Sequence, residues 1–153
     1  MKIAVVGDII VSSGLLAEAA KSLNIDDEPE IKEMIWNADD RKDFQKKALN
    51  IETRGPEAEE IPEELYTEIK DTDILLVHFC PVPRKLIERA QNLKLIGTCR
   101  GGLEHVDVEA ATEKNIPVMH VIRNAEATSD FAIGLMFAET RNIARAHAAM
   151  KQG

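Results

Sequence analysis

Continuous apolar runs alternate along the chain with segments whose apolar residues recur at helical spacing. The runs predict strands at residues 2–7, 31–36, 74–77, 93–97 and 117–121. The spaced segments predict helices at residues 12–23, 65–70, 83–90 and 108–114, and one more that begins at an Asp39-Asp40 cap. Because strands and helices alternate and the strands are aliphatic runs without regular polar/apolar alternation, we expect an α/β fold: a flavodoxin-like, doubly wound parallel sheet of about five strands.

The helix after the Asp39-Asp40 cap is expected to place Phe44, Ala48 and Leu49 on one face. The acidic stretch Ile51–Glu64 that follows contains glycine and prolines and has no clear apolar period. We therefore predict a surface excursion there.

The C-terminal segment contains no proline and predicts one long helix from about Ala127 to Gln152. Its apolar residues cover more surface than one contact stripe requires. These residues are Phe131, Leu135, Met136, Phe137 and Ile143. We therefore divide the chain into a flavodoxin-like domain at residues 1–123 and a long helix at residues 124–153, and expect the helix to pack against a partner or a second copy of the chain.

The 153 residues carry a formal net charge of -8. This charge opposes binding to nucleic-acid phosphates and anionic membrane surfaces, and no basic cluster offsets it. No stretch approaches the ~20 apolar residues of a membrane span, and the chain starts directly with a strand instead of a signal peptide. We expect a cytoplasmic protein without nucleic-acid or membrane partners, in which Cys80 and Cys99 are free, mostly buried thiols.

Ligands of doubly wound sheets bind beyond the carboxyl ends of the strands. After the fourth predicted strand, residues 98–107 read Thr-Cys-Arg-Gly-Gly-Leu-Glu-His-Val-Asp, and residues 124–130 read Asn-Ala-Glu-Ala-Thr-Ser-Asp. In order and spacing these two blocks resemble the D-isomer-specific 2-hydroxyacid dehydrogenase family, which has a glycine-rich loop after such a strand and an asparagine heading its interdomain helix. The resemblance covers about residues 74–149. It implies a two-domain enzyme that passes hydride between NAD or NADP and a 2-hydroxy or 2-oxo acid.

By this resemblance, the backbone N–H groups of Gly101 and Gly102 bind the substrate carboxylate, because glycines lack the Cβ atoms that block a close approach. The other interpretation of these glycines is a tight turn between strand and helix. Arg100 stands where the family usually has a small residue. It either meets a second acidic group of the substrate or pairs with Glu104 or Glu126.

Asn124 matches the family's asparagine and either approaches the substrate or caps the helix. Asp130 replaces the family's glutamate and is a second helix-cap candidate. Cys80 and Pro81 match the family's substrate-side loop and are expected to line the pocket. A nucleophilic pair of Cys80 with His78 is the weaker hypothesis, because buried thiols and satisfied imidazoles are far commoner than such pairs.

Metal and cofactor sites are not expected in this chain. His78, Cys80, Cys99 and His105 carry suitable donor atoms, but their spacing matches no zinc pattern. The eight glycines include no G-x-G-x-x-G arrangement, so there is no dinucleotide fingerprint.

In the family, the catalytic arginine, glutamate and histidine belong to the nucleotide-binding domain, and no histidine of this chain matches that histidine. The resemblance therefore implies the substrate-binding portion of an NAD(P)-dependent enzyme, without catalytic residues of its own. We expect it to be inactive without the missing nucleotide-binding domain. The alternative is a free-standing flavodoxin-like module that binds a small acid or has a regulatory role.

Overall fold

Five parallel strands form one sheet in the computed structural model of the protein, which describes residues 1–23 and 28–153. The strands are β1 (Lys2–Gly7), β2 (Glu30–Ile35), β3 (Ile74–Val77), β4 (Leu95–Thr98) and β5 (Val118–Met119). Their order across the sheet is β2-β1-β3-β4-β5. This order is that of flavodoxin-like doubly wound sheets, so the predicted fold class is confirmed.

The described residues form seven α-helices and one short 3-10 turn at Pro56–Ala58. The helices are α1 (Ser13–Lys21), α2 (Arg41–Arg54), α3 (Leu65–Glu68), α4 (Arg84–Arg89), α5 (Val108–Glu113), α6 (Ala125–Thr140) and α7 (Ile143–Gln152). Within residues 1–23 and 28–153, no helix has both the length and the apolar character that a bilayer crossing requires.

Both faces of the sheet are covered, as the continuous aliphatic strands predicted. Side chains of a strand point alternately to its two faces. Ile3 and Val5 of β1 pack with Leu16, Ala17 and Ala20 of α1. The opposite face, which includes Ala4 and Val6, packs against buried residues of α2 to α5.

The prediction for α2 was wrong in two respects. The helix continues to Arg54, so the irregular segment begins at Gly55 (φ 86°) and not at residue 51. Ile51 is fully buried, whereas Leu49 is 61% exposed. At 100° per residue, Ile51 lies within 20° of Phe44 around the helix axis, while Leu49 lies about 140° away.

The chain forms two compact units, Met1–Val121 and Ile122–Gly153. The second unit is helical, but the predicted single long helix is two helices, α6 and α7. The break lies at Asn142, which has a φ of 58° in the left-handed region. Asparagine tolerates this conformation better than most residues because its side chain bonds locally, and here the Asn142 amide oxygen accepts from Arg145 Nε.

Candidate functional site

The carboxyl ends of β1, β3 and β4 lie side by side at one edge of the sheet, as the sheet order requires. Four buried polar side chains lie at or just after these strand ends. They are Asp8, His78, Thr98 and His105. Their hydrogen bonds determine how the three loops are held together.

Asp8 fastens the loop after β1 to the loop after β3. Its Oδ1 accepts from the backbone N–H groups of Ile10 at 2.8 Å and Val11 at 3.1 Å. Its Oδ2 lies 2.7 Å from His78 Nδ1 and accepts from the N–H of Phe79 at 3.2 Å. Burial raises the pKa of Asp8, but the bonds from His78 and the backbone outweigh it, so the pKa is lowered overall and the carboxyl is ionised.

Thr98 and His105 hold the loop after β4 from beneath. The Thr98 hydroxyl donates to the backbone carbonyl of His78 at 3.3 Å and lies 2.9 Å from His105 Nε2. Because the single hydroxyl hydrogen is used by the His78 carbonyl, Nε2 of His105 carries the hydrogen and donates. Burial, together with the charges of Arg100 and His78, lowers the pKa of His105 to about 3, so its imidazole is neutral.

The Gly101-Gly102 turn is the open part of the site. Gly101 is exposed and Gly102 half-buried. The carbonyl of Gly101 lies 2.9 Å from His120 Nδ1, but among the described residues neither glycine N–H donates a hydrogen bond. The Glu104 carboxylate occupies the place that a Cβ atom on Gly102 would take. The turn therefore offers free backbone donors next to an acidic side chain.

Arg100 reaches α2, so the predicted pairing with Glu104 or Glu126 is wrong. Its Nη2 donates to Glu52 Oε1 at 3.1 Å, and its guanidinium carbon lies 3.6 Å from the ring centre of Phe79. Only 18% of its side chain is exposed. Nε is buried and has no acceptor in the described part of the chain.

Cys80 and Pro81 are buried within the loop after β3, so in this structure they are not exposed to a ligand. The Cys80 thiol points to the carbonyl of Pro81 at 3.6 Å. Burial raises its pKa far above the ordinary value, so the thiol stays protonated. In the described part of the chain His78 Nε2 has no hydrogen-bond partner, and the Cys80 thiol is directed at Pro81, so a Cys80–His78 nucleophilic pair is not formed.

Asn124 and Asp130 belong to the second unit. Asn124 occupies the position before α6, but its side chain makes no cap hydrogen bond, so the capping interpretation finds no support there. Asp130 lies inside α6 and is not its cap, which corrects that expectation.

The loop after β1 forms a tight turn, and two of its backbone donors bind within the chain. A Cβ atom on Gly7 would collide with the backbone of Ser12 and Ser13, so glycine is needed for the tight turn. The N–H groups of Ile10 and Val11 are already taken by Asp8, and the exposed side chains here are apolar. Across residues 1–23 and 28–153, no cluster of three His, Cys, Asp or Glu side chains is arranged to hold a metal ion.

In doubly wound α/β domains, ligands bind beyond the carboxyl ends of the strands, which is where the open backbone donors of this chain lie. Residues 31–151 match the family of D-isomer specific 2-hydroxyacid dehydrogenases, catalytic domain. The chain belongs to this family.

Curated relatives agree with this assignment. The chain is 43% identical over 93 residues to D-3-phosphoglycerate dehydrogenase of Methanocaldococcus jannaschii, covering 60% of this chain and 18% of that protein. It is 38% identical over 93 residues to hydroxypyruvate reductase of Thermotoga maritima, covering 60% of this chain and 30% of that protein. The chain thus matches less than a third of either relative's length.

Solved structures share the fold. A protein from Pyrococcus horikoshii OT3 superposes with a TM-score of 0.61 at 21% identity, covering 97% of this chain and 37% of that one. The NAD-dependent formate dehydrogenase of Staphylococcus aureus, in complex with NAD, superposes with a TM-score of 0.57 at 22% identity, covering 100% of this chain and 41% of that one. At these identities the likeness shows the fold alone.

Proposed function

We propose that this chain is the substrate-binding portion of an NAD(P)-dependent D-2-hydroxyacid dehydrogenase. In the full enzyme, hydride passes between the nicotinamide of NAD or NADP and a 2-hydroxy or 2-oxo acid. The cofactor is held by a nucleotide-binding domain that packs against this portion. The family membership supports the reaction class, and the absence of a dinucleotide fingerprint in the 153 residues supports the division of labour.

The substrate carboxylate is bound by the N–H groups of Gly101 and Gly102. The observation that carries this proposal is that both donors have no acceptor in the described part of the chain and stand at the strand edge where such sheets bind ligands. A carboxylate that accepts from backbone N–H groups gains charge-assisted hydrogen bonds, which are stronger than neutral ones. Arg100 adds positive charge next to this turn.

We propose that Asn124 reaches the same substrate in the assembled enzyme. We also propose that the substrate-binding domain comprises residues 1–123 and the interdomain helix residues 124–153. The relatives are a dehydrogenase and a reductase of small acids, and we propose that this chain acts in the same kind of reaction, in the cytoplasm. The exposed apolar residues of α6, including Phe131, Leu135 and Phe137, are proposed to contact the nucleotide-binding domain or a second copy of the chain.

Reconstitution tests this function. The chain is assayed with NADH and NADPH against a panel of 2-oxo acids, alone and after addition of a separately produced nucleotide-binding domain from a full-length relative. We expect no turnover alone and measurable oxidation of the reduced cofactor after mixing. Turnover by the chain alone contradicts the proposed division of labour. Saturable acid binding with no turnover in any mixture favours the free-standing binding module.

A further inference from the structure

The side chain of Arg100 has more donors than the protein uses. A guanidinium presents five N–H donors. In residues 1–23 and 28–153, its one side-chain hydrogen bond runs from Nη2 to Glu52, and Nε is buried without an acceptor. A buried charged donor that lacks an acceptor is costly. This cost indicates a position whose further acceptor comes from outside the chain.

Phe79 fixes the position of this charge. The guanidinium carbon lies 3.6 Å from the ring centre of Phe79. The ring itself is packed between Trp36, at 6.3 Å, and Phe44, at 5.5 Å, so it does not move freely. Arg100 also precedes Gly101 directly in the chain, so the residue that carries this charge belongs to the same loop as the turn.

Glu52 is an acceptor that a ligand can replace. It lies on the last turns of α2, its side chain is 43% exposed, and it makes one hydrogen bond to Arg100. Glu52 is the more exposed partner of the pair, at 43% against 18% for Arg100, so water competes for its carboxylate. An anionic group of a ligand can therefore take its place at small cost to the fold.

We propose that Arg100 is a specificity-determining residue that selects 2-hydroxy or 2-oxo acids with a second acidic group, and that Glu52 is the internal acceptor this group displaces. The inference rests on the proposed function, in which the turn binds the first carboxylate. The shared chemistry of the second group is that of a carboxylate or a phosphate, either of which accepts from a guanidinium in a planar, two-point arrangement.

The test is calorimetric titration of the chain with three acids: D-lactate, which has one acidic group, D-malate, which has a second carboxylate, and 3-phospho-D-glycerate, which has a phosphate. We expect at least one of the latter two to bind about tenfold or more tightly than D-lactate, which is the effect of a hydrogen-bonded charge. The acid that gains more identifies the second group.

Two substitutions are expected to act in opposite directions. Arg100→Gln removes the preference and changes D-lactate affinity by less than about threefold, because that acid uses the turn alone. Glu52→Gln strengthens binding of the two-acid ligands severalfold, because the competing carboxylate is gone. Arg100→Lys keeps the charge but loses the planar fork, and is expected to retain a reduced preference.

Matched controls come from the same chain. Arg89→Gln removes another arginine that stacks on an aromatic ring, since its guanidinium carbon lies 4.6 Å from the ring centre of Tyr66. Arg89 is the last residue of α4 and lies away from the carboxyl edge of the sheet. Glu139→Gln changes the net charge as Glu52→Gln does, but in a pair with Arg145 in the second unit. Both are expected to leave all three affinities unchanged.

The outcomes separate the inference from the proposed function. If D-lactate binds and neither two-acid ligand binds more tightly, the inference is overturned and the carboxylate site stands. The same holds if Arg100→Gln weakens all three acids equally, since that marks a structural role. If none of the three acids binds at millimolar concentration, the proposed function itself is contradicted.

Discussion

The proposed carboxylate site depends on the backbone N–H groups of Gly101 and Gly102. Glycines in a strand-to-helix turn are common, and the sequence alone left this interpretation beside the functional one. In the described part of the chain the two N–H groups have no acceptor, so they are open to a ligand as the functional interpretation requires. The Glu104 carboxylate beside Gly102 would repel a substrate acid, so the hydrogen bonds of the turn have to outweigh this repulsion.

Gly101→Ala tests the turn without disturbing the fold. An added Cβ would lie 3.6 Å from the Val121 carbonyl oxygen, an ordinary contact, so the free energy of unfolding should change by less than about 0.5 kcal/mol. The methyl group stands on the exposed turn and hinders close approach of a carboxylate. We expect about tenfold weaker binding of D-lactate by calorimetry.

The control for this substitution is Gly14→Ala in α1, where the nearest atom to an added Cβ lies at 3.9 Å. This variant should bind D-lactate as the unmodified chain does. Equal affinities of the Gly101→Ala variant and this control would show that the turn does not hold the acid.

His105 predicts a pH dependence of stability. Its pKa is about 3 in the folded protein, compared with 6.5 for an unperturbed imidazole. Between these values the unfolded chain binds a proton that the folded one does not, so stability falls as the pH falls from 6.5 toward 3. Between pH 5.5 and 4, His105→Gln should reduce the change in the free energy of unfolding with pH by about 1.4 kcal/mol per pH unit, measured by urea unfolding. Parallel curves for the two proteins would contradict the buried neutral state.

The predicted bounds of secondary-structure elements agree best with the structure where burial determines the hydrophobic pattern. The bounds of β1 and β3 were predicted to the residue, because continuous aliphatic strands leave no other arrangement in a covered sheet. The end of α2 was placed too early because the glycine and prolines that follow obscured the continuing helical period at Ile51. The break at Asn142 was missed because no proline or glycine marks it.

Long-range side-chain pairs were the part of the site that the sequence did not show. Arg100 meets Glu52 from 48 residues away, and Asp8 meets His78 from 70 residues away. The second pair follows once β1 and β3 are known to be neighbours, since both residues come directly after paired strand ends. The first pair depends on the direction of a long, flexible side chain, which the sequence pattern does not encode.

Asn142 is expected to control the break between α6 and α7. The left-handed conformation costs a residue such as alanine roughly 1–2 kcal/mol, whereas glycine adopts it freely. Asn142→Ala should therefore favour a continuous helix, seen as helical Cα chemical shifts through residues 141–143. Asn142→Gly should keep the break. Identical shifts in both variants would show that residue 142 does not determine it.

At the scale of the whole molecule, the net charge of -8 opposes the approach of any small acid. The proposed site therefore requires local donors strong enough to overcome this field, and its candidate donors are the N–H groups of the Gly101-Gly102 turn. In the proposed division of labour, this portion binds the acid and the nucleotide-binding domain supplies the cofactor that reduces it.

The most direct measurement is a titration of the isotopically labelled chain with D-lactate, followed by the backbone amide resonances in NMR spectra. The carboxylate site predicts saturable shifts of the Gly101 and Gly102 amides, with downfield movement of their protons as hydrogen bonds form. Amides of α7, such as those of Ala146 and Ala149, serve as internal references and should not move. Saturable shifts elsewhere with both glycine amides unmoved would contradict the site.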